Sequence, residues 1–145
     1  MQLVLLGAVV FLPGGDAWTA PGWLATGMRI LQALGLAVVV TGLLNLGRAR
    51  SASPMPVVGG ELHSNGLFRS VRHPIYSGII AIAIGSAVRS GSAAVAAATL
   101  LLIGWLMLKA RWEERLLLDR YPGYASYAAR TPRFVPFAIR HRMPR

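Results

Sequence analysis

The chain has 145 residues, of which 54% are hydrophobic and only 14% are charged. A soluble domain usually carries about a quarter charged residues, so the composition predicts one integral membrane domain over residues 1–145, in contact with the lipid bilayer. The absence of cysteine excludes disulfides, thiolate metal sites and cysteine nucleophiles, and we expect no bound metal.

The formal net charge is +10, and the positions of the basic residues follow the apolar runs. Thirteen of the fifteen Lys and Arg residues fall within residues 47–73 and 109–145, and the other two are Arg29 and Arg89. Because basic loops stay on the cytoplasmic side of a membrane, both basic segments are predicted to be cytoplasmic. This explains the charge without nucleic acid, which we do not expect as a partner.

The first apolar stretch, residues 1–12, ends at Pro13-Gly14-Gly15. It is shorter than the about 20 residues that cross a bilayer, and no positive segment precedes it as in a signal peptide. An interfacial helix is one interpretation, but a short first span keeps both basic segments on one side, and we predict that span. Residues 24–46 are long enough for a full crossing and predict the second span.

The rest of the chain predicts a basic cytoplasmic loop at residues 47–73 and a helical hairpin at residues 74–108, broken only at Arg89-Ser90-Gly91-Ser92. Nothing then breaks a helix before Tyr121, so the last helix should continue beyond the membrane into a cytoplasmic segment, residues 109–137. Residues 138–145 form a basic tail. The fold class is therefore all-α, with about four membrane-spanning helices and both termini on the cytoplasmic side of the inner or plasma membrane.

The start of the hairpin is the first candidate for a ligand site. Proline is tolerated in the first turn of a helix, where its missing N–H has no partner to lose, so Pro74 should lie just inside the helix start. Arg72 and His73 then lie at the positive end of the helix dipole, which attracts anions. We therefore expect this end to form the floor of a ligand site at the membrane surface.

The hairpin also predicts what lies opposite His73. Folding the chain about Ser90–Gly91 puts His73 level with about residue 108, and Glu113 and Glu114 roughly 8–9 Å further out at 1.5 Å per residue. This predicts a gap about as long as a nucleoside. Because neighbouring helix residues point about 100° apart, the two glutamates should not face one pocket equally.

Two motifs lie on the two sides of this hairpin. Residues 66–78 contain the pattern Arg-His-Pro-x-Tyr-x-Gly, and the second motif consists of Glu113-Glu114-x-x-Leu117, Tyr124, Tyr127 and the run from Arg133 to Pro136. Together, in this order and about 40 residues apart, they resemble the signatures of the isoprenylcysteine carboxyl methyltransferase and phospholipid methyltransferase family. The resemblance covers roughly residues 59–137.

The resemblance implies an integral membrane methyltransferase that uses S-adenosylmethionine as its cofactor. The acceptor would be lipidic or prenylated, with either a carboxylate or an amine headgroup. The motif positions and the helix start assign cofactor binding to Arg72, His73, Pro74, Tyr76, Gly78, Glu113 and Glu114. Tyr127 and Arg133 would close the pocket or face the acceptor, and His73 is the candidate base for an amine acceptor.

Other interpretations stay open. A sterol-type membrane reductase that uses NADPH has a similar signature, but with Asn and Glu where this chain has Ile75 and Gly78. A small non-enzymatic membrane subunit would leave His73 and the two glutamates without a shared purpose. Each glutamate also has a simple helical partner three or four residues away, which could make exposed ion pairs: Lys109 for Glu113, and Arg111 for Glu114.

Overall fold

The structure is a computed structural model that describes residues 1–47 and 66–135. Within these ranges the fold is all-helical, as the composition predicts. The helices are α1 (Gln2–Phe11), α2 (Gly22–Gly47), α3 (Pro74–Ser90), α4 (Ala93–Arg120) and α5 (Tyr124–Arg130), with one turn of 3₁₀ helix at Gly66–Arg69. Residues 48–65 of the loop predicted at residues 47–73, and the basic tail predicted at residues 138–145, lie outside the described residues.

The ends of α3 and α4 follow from local sequence. Pro74 occupies the first helical position of α3, as predicted. The hairpin turn passes through Gly91, whose φ of 60° is a left-handed conformation that glycine adopts without strain. Helix α4 then runs unbroken for 28 residues, or about 42 Å. It ends at Tyr121, whose extended backbone is the conformation favoured before a proline such as Pro122.

Helices α2 and α3 pack very closely because two glycines meet at their crossing. A Cβ atom on Gly78 would lie 2.5 Å from the carbonyl oxygen of Gly35, and one on Gly35 would lie 2.8 Å from the carbonyl oxygen of Gly78. Small residues at a crossing allow two backbones to approach closely in a membrane helix pair. This contact fixes the position of α3, and therefore of the residues that precede it, against α2.

A compact apolar core lies between α1, α3 and α4. It is formed by five buried side chains: Val9, Ala83, Ala98, Leu102 and Leu106. The outward faces of α1 and α2 instead expose large apolar side chains, such as Phe11 at 84% and Trp23 at 76%. An apolar surface of this extent requires an apolar environment, since contiguous exposed patches are rare on soluble monomers.

The lengths of the helices decide how much of the membrane topology the structure supports. Helix α2, through Asn45, and helix α4 are long and apolar enough to cross a membrane. Helix α1 has only 10 residues and α3 has 17, or about 15 and 25 Å. Crossing by α1 and α3, and with it the count of four spans, stays a prediction.

Contacts along the bundle show that the successive helices α1 to α4 run in alternate directions. At one end, the amides of Gly15 and Ala17 donate to the carbonyls of Ser90 and Gly91 at 2.8 and 2.9 Å, which ties the loop after α1 to the hairpin turn. At the other end, Lys109 of α4 donates to the side chain of Gln2 at the start of α1. The start of α3 and the last turns of α4 lie at this second end, which holds the candidate site.

Candidate active site

The C-terminal segment is attached to the start of α3 by backbone hydrogen bonds. The amide of Arg72 donates to the carbonyl of Pro132 at 2.9 Å, and the amide of His73 donates to the carbonyl of Arg133 at 3.0 Å. These amides are free to bond outside the helix because both residues precede Pro74, the first residue of α3. The pairing brings the side chain of Arg133 beside His73, although the sequence separates them widely.

The same segment is held at two further points. The hydroxyl of Ser77 donates to the carbonyl of Phe134 at 2.6 Å, and the hydroxyl of Tyr127 donates to the carbonyl of Phe68 in the 3₁₀ turn. Tyr127 is 8% exposed, and burial, the largest cause, raises the pKa of its phenol to about 12. Helix α5 therefore fastens the segment over the site.

Glu114 is the centre of the first charged cluster. Arg133 donates to it through Nε and Nη2 at 2.9 and 2.6 Å, and Nη1 of Arg72 lies 3.2 Å from Oε2. Nε2 of His73 lies 3.1 Å from Oε1. The hydrogen bonds to Glu114 raise the pKa of Arg133 above its ordinary value. A buried carboxylate is tolerated only when it is paired and hydrogen-bonded, and these contacts meet that condition.

Glu113 forms a second cluster on the other side of the imidazole. Its Oε1 accepts a hydrogen bond from the Tyr76 hydroxyl at 2.7 Å, and its Oε2 lies 3.7 Å from Nδ1 of His73. Nζ of Lys109 lies 3.9 Å from Oε1. The rings of His73 and Tyr76 are stacked, with centroids 5.3 Å apart and planes 4° from parallel. His73 is thus held between two carboxylates, one at each ring nitrogen.

The prediction of a nucleoside-length gap is wrong, because His73 contacts both glutamates directly. The hairpin turn is centred on Gly91–Ser92, so the residue level with His73 is about residue 110. The axial offset to Glu113 is then about 4.5 Å, which the side chains span. The expectation that the two glutamates should not face one pocket equally agrees with the structure, since Glu114 lies 3.1 Å from Nε2 of the ring and Glu113 lies 3.7 Å from Nδ1 on its other side.

A comparison with known protein families identifies the family of this chain. A family model described as phospholipid methyltransferase matches residues 24–123. The chain belongs to this family. The family prediction is confirmed, and with it a membrane methyltransferase as the class of protein. No curated protein and no solved structure shows a significant match to the chain.

The match to the phospholipid methyltransferase family covers only part of the candidate site. It includes α2, α3 and α4, and therefore His73, Tyr76 and both glutamates. It ends before α5 and Arg133, so the closing segment lies outside the matched region. In the structure the two parts are joined by the backbone pairing described above and by the bidentate contact of Arg133 with Glu114.

Two of the residues assigned to cofactor binding have structural roles in the packing of α3, and their contact with the cofactor stays a prediction. Pro74 is fully buried at the start of α3. The position where a side chain on Gly78 would stand is filled by the Gly35 carbonyl and by Val39 of α2, so glycine is required there for helix packing. The contacts described around the two glutamates do not include either residue.

Lys109 is the site residue that the sequence interpretation undervalued. Its pairing with Glu113 is confirmed at 3.9 Å, but as part of a cluster between helices and not as an exposed pair. The expected partner of Glu114, Arg111, is exposed, and Arg72 and Arg133 take its place. The sequence could have indicated a special role for Lys109, because it is the single lysine of the chain beside fourteen arginines.

Proposed function

We propose that this protein transfers a methyl group from S-adenosylmethionine to the headgroup of a membrane lipid, at the cytoplasmic face of the membrane. The observation that carries the proposal is the placement of His73 between Glu113 and Glu114, at one end of a bundle that belongs to a membrane methyltransferase family.

The donor and acceptor groups of the site fit this cofactor. S-adenosylmethionine carries a carboxylate, an ammonium and a sulfonium. Arg72 suits the carboxylate, since its Nε is buried and has no hydrogen-bond partner within residues 1–47 and 66–135. Glu113 and Glu114 suit the ammonium or the ribose hydroxyls, because charged groups make the strongest hydrogen bonds. Binding would replace some of the ion pairs that now join these residues to each other.

The bound cofactor would supply an electrophilic methyl group for an in-line displacement. The protein then contributes positioning of the two reactants and exclusion of water, which together can supply much of the rate. The segment from Thr131 to Phe134 covers the start of α3 and supports this exclusion. Since Nε and Nη2 of Arg133 already donate hydrogen bonds to Glu114, Arg133 is less available to orient a carboxylate acceptor.

The engagement of Arg133 favours an amine acceptor over a carboxylate acceptor. An amine headgroup must lose a proton before it can attack, and His73 would accept that proton at the ring nitrogen that a glutamate leaves when it binds the cofactor. The glutamates on both sides would stabilise the imidazolium that results. A prenylated carboxylate is the second candidate, and it would require Arg133 to release Glu114.

The proposed topology places all of this chemistry on one side of the membrane. Helices α1 and α3 would cross together with α2 and α4, with both termini cytoplasmic. The alternate direction of the helices supports this arrangement, because Gln2 and the end of α4 lie at the same end of the bundle. A reporter fused after Arg145 should be active only in the cytoplasm, and activity outside the cytoplasm would contradict the topology.

A transfer assay tests the proposed function. The purified protein would be placed in nanodiscs containing phosphatidylethanolamine and given S-adenosylmethionine with a ¹³C-labelled methyl group. We expect label in the extracted lipid for wild type and for Arg115→Met, a change at an exposed position of α4, but not for Glu114→Ala. Label only on an added prenylcysteine would identify the carboxylate acceptor. Consumption of NADPH without methyl transfer would favour the reductase, and neither reaction would favour a non-enzymatic subunit.

A further inference from the structure

A polar cluster joins three helices beside the candidate site, with Lys109 at its centre. Nζ of Lys109 donates to Oε1 of Gln2 on α1 at 2.9 Å and lies 3.9 Å from Oε1 of Glu113 on its own helix. It also lies 5.5 Å from the centroid of the Tyr76 ring on α3, within the about 6 Å of a cation–π contact. Tyr76 in turn donates to the same oxygen of Glu113.

The shape of a lysine ammonium suits these three partners. An ammonium is a compact charge with three donors that point in different directions, whereas a guanidinium presents its donors in one plane. The chain uses arginine at fourteen positions and lysine only here. Lys109 is partly buried, and its ammonium faces the amide of Gln2, the carboxylate of Glu113 and the ring of Tyr76.

We propose that Lys109 is a positioning residue, which uses Gln2 of α1 as an anchor to hold Glu113 and Tyr76 in the orientation that binds the cofactor. Helix α1 lies outside the region that the family model matches. Through Gln2, this helix would contribute to cofactor binding by the matched region. The proposal rests on the proposed function, since it concerns binding of the same cofactor.

The test measures binding of S-adenosylhomocysteine, the demethylated cofactor, by calorimetry on the full chain in detergent. Lys109→Met removes a charged hydrogen bond and should weaken binding about tenfold. Lys109→Arg keeps the positive charge but loses the three donor directions of an ammonium. Its affinity should lie between those of wild type and Lys109→Met. The matched control is Arg111→Met, which removes an exposed cation of the same helix and should bind like wild type.

A double-mutant cycle separates positioning from a general loss of packing. Gln2→Leu removes only the anchor and should weaken binding about threefold. Because Gln2 acts through Lys109, the variant with both changes should bind no worse than Lys109→Met alone. If Lys109→Met does not fold, as judged by its thermal unfolding, Gln2→Leu still carries the test because it keeps the lysine.

The outcomes distinguish this proposal from the proposed function. If wild type binds, and both Lys109→Met and Gln2→Leu bind within about twofold of wild type, the role of Lys109 is refuted and the proposed function is not. Fully additive losses in the double variant would refute the coupling through Gln2, and an equal loss in Arg111→Met would show a general charge effect. Absence of binding by folded wild-type protein would refute the proposed function, and the role of Lys109 with it.

Discussion

Nε2 of His73 lies 3.1 Å from Oε1 of Glu114, although the two residues are 41 positions apart in the chain. This contact joins the start of α3 to the last turns of α4. Arg133 binds the same carboxylate through two nitrogens, so one buried glutamate connects three separate parts of the chain. The stability of this end of the bundle and its capacity to bind a ligand therefore depend on the same groups.

The first prediction concerns the charge of Glu114. Glu114→Gln leaves the guanidinium groups of Arg72 and Arg133 without their carboxylate in a partly buried site. We expect the free energy of unfolding to fall by about 2 kcal/mol, less than for a fully buried pair because Arg133 is partly exposed. Unfolding in mixed detergent micelles measures the change. Asp119→Asn, at an exposed position of the same helix, is the control, and an equal loss there would contradict the prediction.

The second prediction concerns the glycine contact between α2 and α3. Gly78→Ala places a methyl group 2.5 Å from a backbone oxygen of Gly35, so the helices must separate. Overpacking of this kind costs about 1–3 kcal/mol. Gly104→Ala is the matched control, because its Cβ would meet no atom within 4 Å among the described residues, and it should be neutral or slightly stabilising. Equal thermal midpoints for the two variants would rule out the packing role of Gly78.

The third prediction concerns the attachment of the closing segment. Ser77→Ala removes the hydrogen bond to the Phe134 carbonyl, which is worth about 1 kcal/mol. Opening of the segment should become about fivefold more frequent, and trypsin should cleave after Arg133 faster by a similar factor. Ser126→Ala, at an exposed position of α5, should leave the cleavage rate unchanged. A rate that is the same for both variants and wild type would show that this hydrogen bond does not hold the segment.

The fourth prediction concerns the ionisation of Tyr127. Burial raises the pKa of its phenol from 10.0 to about 12. The tyrosinate absorbance of Tyr127→Phe is subtracted from that of wild type at each pH. This difference should show a transition near pH 12. Because the folded state disfavours the phenolate, this group's contribution to stability is complete below pH 10 and is lost as the pH rises toward 12. A difference titration centred near 10 would mean that the phenol is not buried.

The sequence was sufficient where structure depends on neighbouring residues. Pro74 marks the start of α3 because proline suits the first turn of a helix, and the absence of any breaker before Tyr121 predicts the long α4. The pairing of the two motifs across the hairpin also followed, since an antiparallel helix pair brings residues near 73 close to residues near 113. The family match supports the same region.

The sequence was not sufficient where structure depends on distant contacts or on the reach of side chains. The backbone pairing of Arg72 and His73 with Pro132 and Arg133 has no local pattern that would reveal it. The predicted gap failed because the turn is centred on Gly91–Ser92, and because the side chains of a histidine and a glutamate span the axial distance that remains. Gly78 was ambiguous for another reason, since glycine serves a close helix crossing and a ligand contact equally well.

The most direct test of the central claim is a calorimetric titration of S-adenosylhomocysteine into purified protein in detergent. Saturable binding by wild type is expected, with His73→Ala weakening it by about tenfold or more because the imidazole joins both carboxylates, while Asp119→Asn binds like wild type. Saturable binding that is the same for wild type and a folded His73→Ala variant, or no binding by wild type at all, would contradict a cofactor site between the start of α3 and the end of α4.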